Sequence, residues 1–224
     1  MADSLEPLND LHLLDRWRTG NRAAGEILFQ RHYKALFRFF KNKVDDDDIQ
    51  DQLQETFLAC LKNVAGFRGH STFKTYLFKI ARNILYAYWQ GRKKSQERLD
   101  FSVSSLADLG ITPTSRIADG QLRNLLLQAL RRLPLEHQLL LEHRFWENMS
   151  VDEIAETFQI KKDATYARLS RAYKVLRTHL ESLSSEANLS LEVLDDLDSW
   201  ARSIHDGSED VDHIDDGRAR ESAR

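Results

Sequence analysis

The sequence predicts an all-α fold made of two helical domains that are joined by a flexible linker. Three prolines and nine glycines in 224 residues leave long stretches without a helix breaker, and the frequent Leu, Lys, Arg, Glu and Gln favour helix. Apolar residues recur at helical spacing through residues 5–90 and again through about residues 119–183. Neither block shows the alternation of a β-strand or a repeat of fixed period.

Composition predicts a cytoplasmic protein without membrane insertion. The single cysteine, Cys60, excludes an intrachain disulfide framework and fits a reducing compartment. No apolar run approaches the roughly 20 residues of a membrane span. The N-terminal segment lacks a basic region followed by an apolar core, so no secretory signal is expected.

Charge is distributed unevenly along the chain. Residues 181–224 hold 13 acidic and 4 basic residues, a net charge of −9, so residues 1–180 carry +6 of the overall −3. A basic body with an acidic tail is typical of proteins that bind nucleic acid, although this pattern alone is weak.

The first helical block is predicted to contain four helices, of which the first three are separated by short breaks. Gly20-Asn21 separates the first two helices, and "VDDDD" (44–48) is a loop before a helix over 49–64. On that third helix one apolar stripe is expected, formed by Ile49, Leu53, Phe57, Cys60, Leu61 and Val64.

The opposite face of helix 49–64 carries Asp51 and Glu55, with Gln54 and Leu58 beside them. A solvated acidic face explains the charges, but an apolar Leu58 among acids favours a face that meets a basic protein surface. A calcium site is not expected, because "DDDDIQDQLQE" lacks the central glycine and the ligand spacing of an EF-hand loop.

The stretch from residue 66 to residue 94 holds seven basic and seven aromatic residues and no acid. Core packing explains the apolar stripe of a helix over about 72–89, but it explains neither the loop "GFRGHS" nor the polar side chains expected to point outwards, namely Thr75, Lys79, Arg82, Asn83 and Tyr86. Single-stranded nucleic acid is held by aromatic and Arg stacking, with basic groups along the phosphates. The stretch therefore predicts a site that traps an unstacked base.

The second helical block predicts a helix-turn-helix. Residues 95–118 are serine-rich and weakly periodic, which indicates a linker, and Pro134 then interrupts the second block. Ser150 with Glu153 forms a capping-box pattern, and a short turn leads to Asp163, the expected N-cap of a basic helix. On this helix Ala167, Ser170, Arg171 and Lys174 are expected to face outwards, as a helix in the DNA major groove requires. A plain basic surface helix is the alternative.

No constellation for catalysis, metal binding or a cofactor is recognisable. His137 and His143 are six residues apart and lack a third ligand at metal spacing, and no Gly-rich phosphate loop or nucleophile motif occurs.

Taken in order, these segments closely resemble the extracytoplasmic-function (ECF) sigma factors of bacterial RNA polymerase. "DQLQETFLACLKNVAGFRGHSTFKTYLFKIARN" (51–83) is similar to region 2 of that family, whose usual form is D-x-x-Q-E-x-F, then F-R-G-x-S-x-F-x-T-W-L, then I-A-R-N. "LRRLPLEHQLLLEHRFWENMSVDEIAETFQI" (130–160) and "RLSRAYKVL" (168–176) are similar to region 4. The resemblance covers about residues 11–180.

The resemblance implies a binding role for each matching segment. The expected partner is core RNA polymerase, with its β′ and β subunits. The side chains expected to contact the clamp helices of β′ are Asp51, Gln54, Glu55 and Leu58. The −10 promoter element would be captured as an opened strand by Phe67, Arg68, His70, Ser71, Thr75, Lys79, Arg82 and Asn83. The −35 element would be read as duplex by Tyr166, Ala167, Arg168, Ser170, Arg171 and Lys174. The linker would thread towards the active-site and RNA-exit channels of the polymerase.

The sequence departs from the family pattern at the start of the recognition helix. The family usually has Gly-Thr-Val-Lys-Ser-Arg there, whereas residues 163–168 of this chain are Asp-Ala-Thr-Tyr-Ala-Arg. Tyr166 thus replaces the usual basic side chain, and Ala167 replaces the usual hydroxyl-bearing side chain. The preferred −35 sequence is therefore open. Tyr76 replaces the usual Trp, and an acidic extension follows the family pattern.

The sequence thus predicts region 2 over 1–94, a linker over 95–118, region 4 over 119–183 and an acidic extension over 184–224. The expected function is a sigma factor that binds core polymerase, recognises the −10 and −35 elements and helps to melt the promoter, without being an enzyme. A dimeric helix-turn-helix regulator and an enzyme with a DNA-binding tail are the alternatives; the first needs no acid-plus-leucine face and the second lacks a catalytic constellation. Whether an anti-sigma factor also binds is left open by the sequence.

The acidic extension has two interpretations. Residues 189–205 have one apolar stripe and predict a short amphipathic helix, whereas the polar residues after it predict disorder. The helix could simply pack on region 4, or the acidic segment 181–224, with its net charge of −9, could compete with DNA for the basic recognition helix.

Overall fold

The computed structural model describes residues 9–41, 43–67, 69–92, 101 and 121–186. These residues form eight α-helices and no strand, which confirms the all-α prediction for the described part of the chain. The helices are α1 Asp10–Arg18, α2 Arg22–Phe40, α3 Ile49–Asn63, α4 Phe73–Arg92, α5 Gln121–Arg131, α6 Leu135–Phe145, α7 Val151–Phe158 and α8 Lys162–Glu186. Two single-turn 3₁₀ helices, Asp46–Asp48 and Val64–Gly66, flank α3.

Helices α1 to α4 form the first helical unit. Gly20 adopts a left-handed backbone with φ of +98° and separates α1 from α2, as the sequence predicts. The side chains of Asn9 and Asn21 accept backbone N–H groups of the first turns of α1 and α2, so each helix has an N-cap. The largest fully buried side chains of this unit include Phe40, Phe73 and Phe78.

The apolar stripe of α3 is narrower than its sequence predicts. Ile49, Leu53 and Cys60 are buried, but Leu61 is 43% exposed, so its assignment to the stripe is wrong. The reason is geometric: at 3.6 residues per turn, Leu61 lies 100° around the helix from Cys60 and leaves the buried side. Leu61 instead lies close to Leu58, three residues earlier, on the exposed face.

Helices α5 to α8 form the second helical unit, which contains the predicted helix-turn-helix of α7 and α8. The capping box is confirmed, because Ser150 accepts the backbone N–H of Glu153 while the Glu153 carboxylate accepts the backbone N–H of Ser150. Gln159 ends α7 in the left-handed region with φ of 57°, which turns the chain into α8. Helix α8 starts at Lys162, so Asp163 lies in its first turn and the prediction that it is the N-cap is wrong. The helix runs to Glu186, three residues past the predicted domain boundary.

The two units pack against each other, with α7 on α4 and α6 against the C-terminal end of α2, so the buried core is continuous across them. Phe101 of the predicted linker joins this seam: its ring stacks on Tyr86 at a centroid distance of 4.2 Å, and its carbonyl accepts the backbone N–H of Glu136 at 2.9 Å. The sequence does not predict this packing. The predicted tail helix over 189–205 and the disordered end after it lie outside the described residues.

Candidate nucleic-acid and protein interfaces

The exposed face of α3 carries the four side chains predicted to meet a protein partner. Asp51, Gln54 and Glu55 are exposed, and Leu58 is 45% exposed. With Leu61 they form a surface on which two leucines lie beside two carboxylates; we call these five residues the α3 face. Exposed leucines beside carboxylates are typical of a protein-binding surface rather than of a solvated helix side.

The loop before α4 presents its tip and buries its base. Gly69 has φ of +74°, and Gly69 and His70 are exposed while Ser71 is half-buried. Phe67 is 7% exposed, because its ring packs on Tyr76 with 4.8 Å between centroids. In this conformation Phe67 anchors the loop, and its contact with a base stays a prediction. Arg68 lies outside the described residues.

Arg18 of α1 holds the base of this loop. Its guanidinium donates to the carbonyl oxygens of Val64 and Phe67, and it lies 5.8 Å from the centre of the Phe67 ring. The loop tip is thus displayed from a fixed base, which is the arrangement a base-capturing loop requires.

The polar side of α4 is covered, contrary to the sequence prediction. Thr75 is fully buried and Arg82 is 8% exposed, so the expectation that these side chains point to solvent is wrong in this conformation. The cause is α7: Thr75 Oγ1 donates to Glu153 Oε1 at 3.3 Å, and the Arg82 guanidinium lies 5.1 Å from the ring centre of Phe158. Burial lowers the pKa of Arg82.

The other predicted outward residues of α4 differ in exposure. Asn83 is exposed and Lys79 is half-buried, whereas Tyr86 is mostly covered by its stack with Phe101. Burial raises the pKa of the Tyr86 hydroxyl to about 12. In this conformation only part of the predicted −10 surface is accessible.

Three glutamates of the second unit reach groups of the first. Glu142 of α6 pairs with Lys43 at 2.6 Å, and Glu147 pairs with Lys74 at 2.7 Å. Glu153 Oε1 accepts from the hydroxyl of Thr72 at 3.1 Å and from that of Thr75. Burial raises the pKa of Glu153, but the hydrogen bonds from Ser150 and the two threonines outweigh this effect and leave the pKa below its ordinary value.

Sequence reasoning missed this charge pairing, although the sequence carried a signal for it. Residues 66–94 have no acid, whereas residues 136–156 have six acids and one arginine. Two helical segments of opposite charge in one chain are candidates for packing on each other.

Between these ion pairs the seam is apolar and aromatic. His143 is fully buried, and the rings of Phe39, Phe78 and Phe158 surround it at centroid distances of 5.9, 5.2 and 5.5 Å. Burial lowers the pKa of His143 to about 3, and the nearby cations Lys43, Lys74 and Arg82 also lower it. The imidazole is therefore neutral while the seam is closed.

The outer face of α8 is free of this packing. Tyr166 is 54% exposed, and Ala167, Ser170, Arg171 and Lys174 are exposed as the sequence predicts. Arg168 is partly turned back, because its guanidinium pairs with Glu136 of α6. The exposed residues lie at successive turns of one helix, which is the arrangement of a major-groove reader.

None of the described helices combines the length and the apolar character needed to cross a membrane.

Comparisons with known proteins agree with this arrangement. The family model described as Sigma-70 region 2 matches residues 28–95, and the one described as Sigma-70, region 4, matches residues 123–176. The chain is 26% identical over 186 residues to the ECF RNA polymerase sigma-E factor of Haemophilus influenzae, a match that covers 80% of this chain and 98% of the relative. The protein of the same name from Escherichia coli K12 is 25% identical over 187 residues, with 80% and 97% covered.

Solved structures share the fold. CnrH, determined in complex with the cytosolic domain of CnrY, aligns with a TM-score of 0.58 and 22% identity, and covers 77% of this chain and 97% of its own. The sigma factor RpoE of Bartonella quintana, determined in complex with the anti-sigma factor NepR, aligns with a TM-score of 0.50 and 21% identity over 68% and 95% of the two chains.

Proposed function

The chain belongs to the sigma-70 family as an ECF sigma factor, and we propose that its described surfaces divide promoter recognition among themselves as follows. Residues 1–94 act as region 2, residues 95–118 as the linker and residues 119–183 as region 4, with residues 184–224 as an extension. Family membership supports a protein that binds RNA polymerase and recognises promoter DNA. The same family supports action in the cytoplasm without catalysis by the chain itself.

The α3 face is the surface that binds core polymerase. The observation that carries this proposal is the joint exposure of Asp51, Glu55 and Leu58 on one side of a helix whose other side is buried. Removal of exposed leucines from water would supply affinity, and the carboxylates would orient a basic partner surface such as the β′ clamp helices.

The loop tip and α4 act on the opened −10 strand. Gly69, His70 and Ser71 are placed to hold an unstacked base, while Lys79 and Asn83 lie on α4 where the strand would continue. Thr75 and Arg82 can join them only after α7 leaves α4, because both are buried beneath α7 in this structure.

The outer face of α8 acts on the −35 duplex. Arg171 is its exposed arginine, and an arginine can hold guanine through two hydrogen bonds in the major groove. Tyr166 has a large exposed ring at the position where the family usually has a basic side chain. At this position, apolar contact between the ring and a thymine methyl group therefore replaces the contact of a charged side chain.

Co-elution with core polymerase tests the α3 face. Reversing both charges in Asp51→Arg/Glu55→Arg should abolish co-elution without unfolding, since both side chains are exposed and on the side opposite to the buried stripe. The matched control is Glu26→Arg/Glu181→Arg, which changes the net charge equally at exposed positions on α2 and α8. Normal co-elution of the α3-face variant would contradict the proposal and favour a regulator that acts without polymerase.

A further inference from the structure

The seam between region 2 and region 4 joins two sets of groups that have opposite chemistry. On the region 2 side are the cations of Lys43 and Lys74 and the hydroxyls of Thr72 and Thr75, which are donors suited to phosphate. On the region 4 side each donor meets one of three carboxylates, those of Glu142, Glu147 and Glu153, which we call the glutamate triad.

Two members of the triad, Glu142 and Glu147, are buried, and Glu153 is half-buried. The side chains of Lys43 and Glu142 are 3% and 8% exposed, and that of Glu147 is also 8% exposed. Glu147 additionally accepts Lys74 through its backbone carbonyl at 2.7 Å. A buried ion pair is tolerated only while both partners stay in place, so the pairs and the aromatic cage around His143 form or separate together.

This seam covers part of the region 2 surface that is proposed to hold the opened strand. Arg82 and Thr75 are covered by α7, and Lys74 is committed to Glu147. The exposed loop tip at His70 opens into a cleft of about 790 Å³ whose other wall carries Asp152, Glu153 and Glu156. A phosphate that entered this cleft would face three carboxylates.

Two other surfaces remain accessible while the seam is closed. The α3 face is exposed, and so is the outer face of α8. The closed protein is therefore competent for core polymerase and for duplex DNA, but not for the opened strand.

We propose that region 4 is an intramolecular inhibitor of the −10 site, in which the glutamate triad occupies the positions on region 2 that phosphates of the opened strand take once the seam separates. This inference rests on the proposed function as a sigma factor. It sets an order of events: polymerase or −35 duplex engages the closed chain first, the seam opens next, and capture of the −10 strand comes last.

Two variants of the full chain open the seam by independent means. Glu147→Gln/Glu153→Gln removes two triad charges but keeps side-chain shape and the capping box, which accepts Gln as well as Glu. Phe101→Ala removes the stack on Tyr86 and changes no charge, so any gain in DNA binding by this variant cannot come from altered electrostatics. The control Glu26→Gln/Glu181→Gln changes the net charge as the first variant does, at exposed positions away from the seam.

Fluorescence anisotropy with a single-stranded −10 oligonucleotide and, separately, a −35 duplex tests the proposal. If the closed form exceeds nine-tenths of the population, both seam variants should bind the single strand about tenfold or more tightly than the parent, because apparent affinity scales with the open fraction. Their affinity for the −35 duplex, and that of the control for both DNAs, should match the parent.

The distance between two spin labels, one on each unit, measures the opening of the seam directly. Cysteines introduced at Glu26 and Arg177, both exposed, report on α2 and α8, and the native Cys60 is buried and remains unlabelled. The seam variants should show a longer, broader distance distribution than the parent. Variants that open but bind the single strand no better than the parent would overturn the inhibitor proposal, as would a parent that is already open. Core co-elution is read on the same samples, so failure of the sigma-factor assignment would be seen separately.

Discussion

The buried pair of Lys43 and Glu142 provides the sharpest energetic test of the closed seam. Lys43 Nζ lies 2.6 Å from Glu142 Oε2 and donates to the carbonyl oxygen of Phe39 at 2.7 Å, with both charged side chains almost fully buried. Lys43→Met keeps most of the apolar stem but leaves the buried Glu142 carboxylate without its cation. The remaining side-chain partner of Glu142 is then Gln138. Removing one partner of a buried pair costs about 3–5 kcal/mol, so a loss of this size in the free energy of unfolding is expected.

The chain offers a matched control for this measurement. Lys162 and Asp152 form a pair of nearly equal length, 2.8 Å, but their side chains are 51% and 69% exposed. Lys162→Met should therefore leave the free energy of unfolding almost unchanged, because water screens this exposed pair. The double variant Lys43→Met/Glu142→Leu should recover most of the lost stability, because two apolar side chains no longer leave a charge without a partner.

Urea denaturation followed by circular dichroism supplies the free energies. Separation of the two units rehydrates Glu142, so the Lys43→Met chain can escape its penalty by opening the seam, and its single unfolding transition should then split into two. A loss below about 1 kcal/mol with one unsplit transition would refute the reasoning, since it would mean that the pair is solvated in the native protein.

Three further outcomes are expected. Acid should open the seam, because burial holds the pKa of His143 at about 3 in the closed form and this pKa rises towards the ordinary 6.5 when the aromatic cage separates. The closed form is therefore favoured above pH 6.5, and its stability relative to the open form falls by about 1.4 kcal/mol by pH 5.5. The spin-label distance should lengthen over that pH range, and an equal lengthening in a His143→Phe chain would contradict this explanation. Arg171→Ala should weaken binding to the −35 duplex by about 1–3 kcal/mol, and Arg177→Ala is the control at another exposed position of the same helix. An unchanged footprint of the Arg171→Ala protein over the −35 duplex would mean that α8 does not read this element. Deleting residues 187–224, which carry a net charge of −7, should strengthen binding to the −35 duplex most at low salt, and equal or weaker binding would rule out competition by the extension.

The local structure was predictable because its causes lie within a few residues. Gly20 breaks the first helix pair, Ser150 and Glu153 cap α7, and the spacing of Asp51 and Glu55 sets them on the exposed side of α3. The residues that decide each of these features are at most four positions apart.

The seam was not predictable in the same way. Periodicity identifies which side of a helix is polar, but it does not identify what covers that side. Thr75 is polar and lies on the polar side of α4, yet it is fully buried because Glu153, 78 residues later, accepts its hydroxyl. The burial of Phe67 was not predictable for a related reason, since an aromatic ring in a loop fits base stacking and core packing equally well until its contact with Tyr76 is seen.

The stack of Phe101 on Tyr86 has a consequence for how the protein responds to its own abundance. Phe101 follows the last residue of α4 by only nine positions, so region 4 is fastened to region 2 close to the seam and recloses within the same molecule. Such an equilibrium is first order in both directions. The silenced fraction is therefore the same whether a cell holds ten copies of the chain or ten thousand, in contrast to silencing by a separate inhibitor, which fails once the chain outnumbers it.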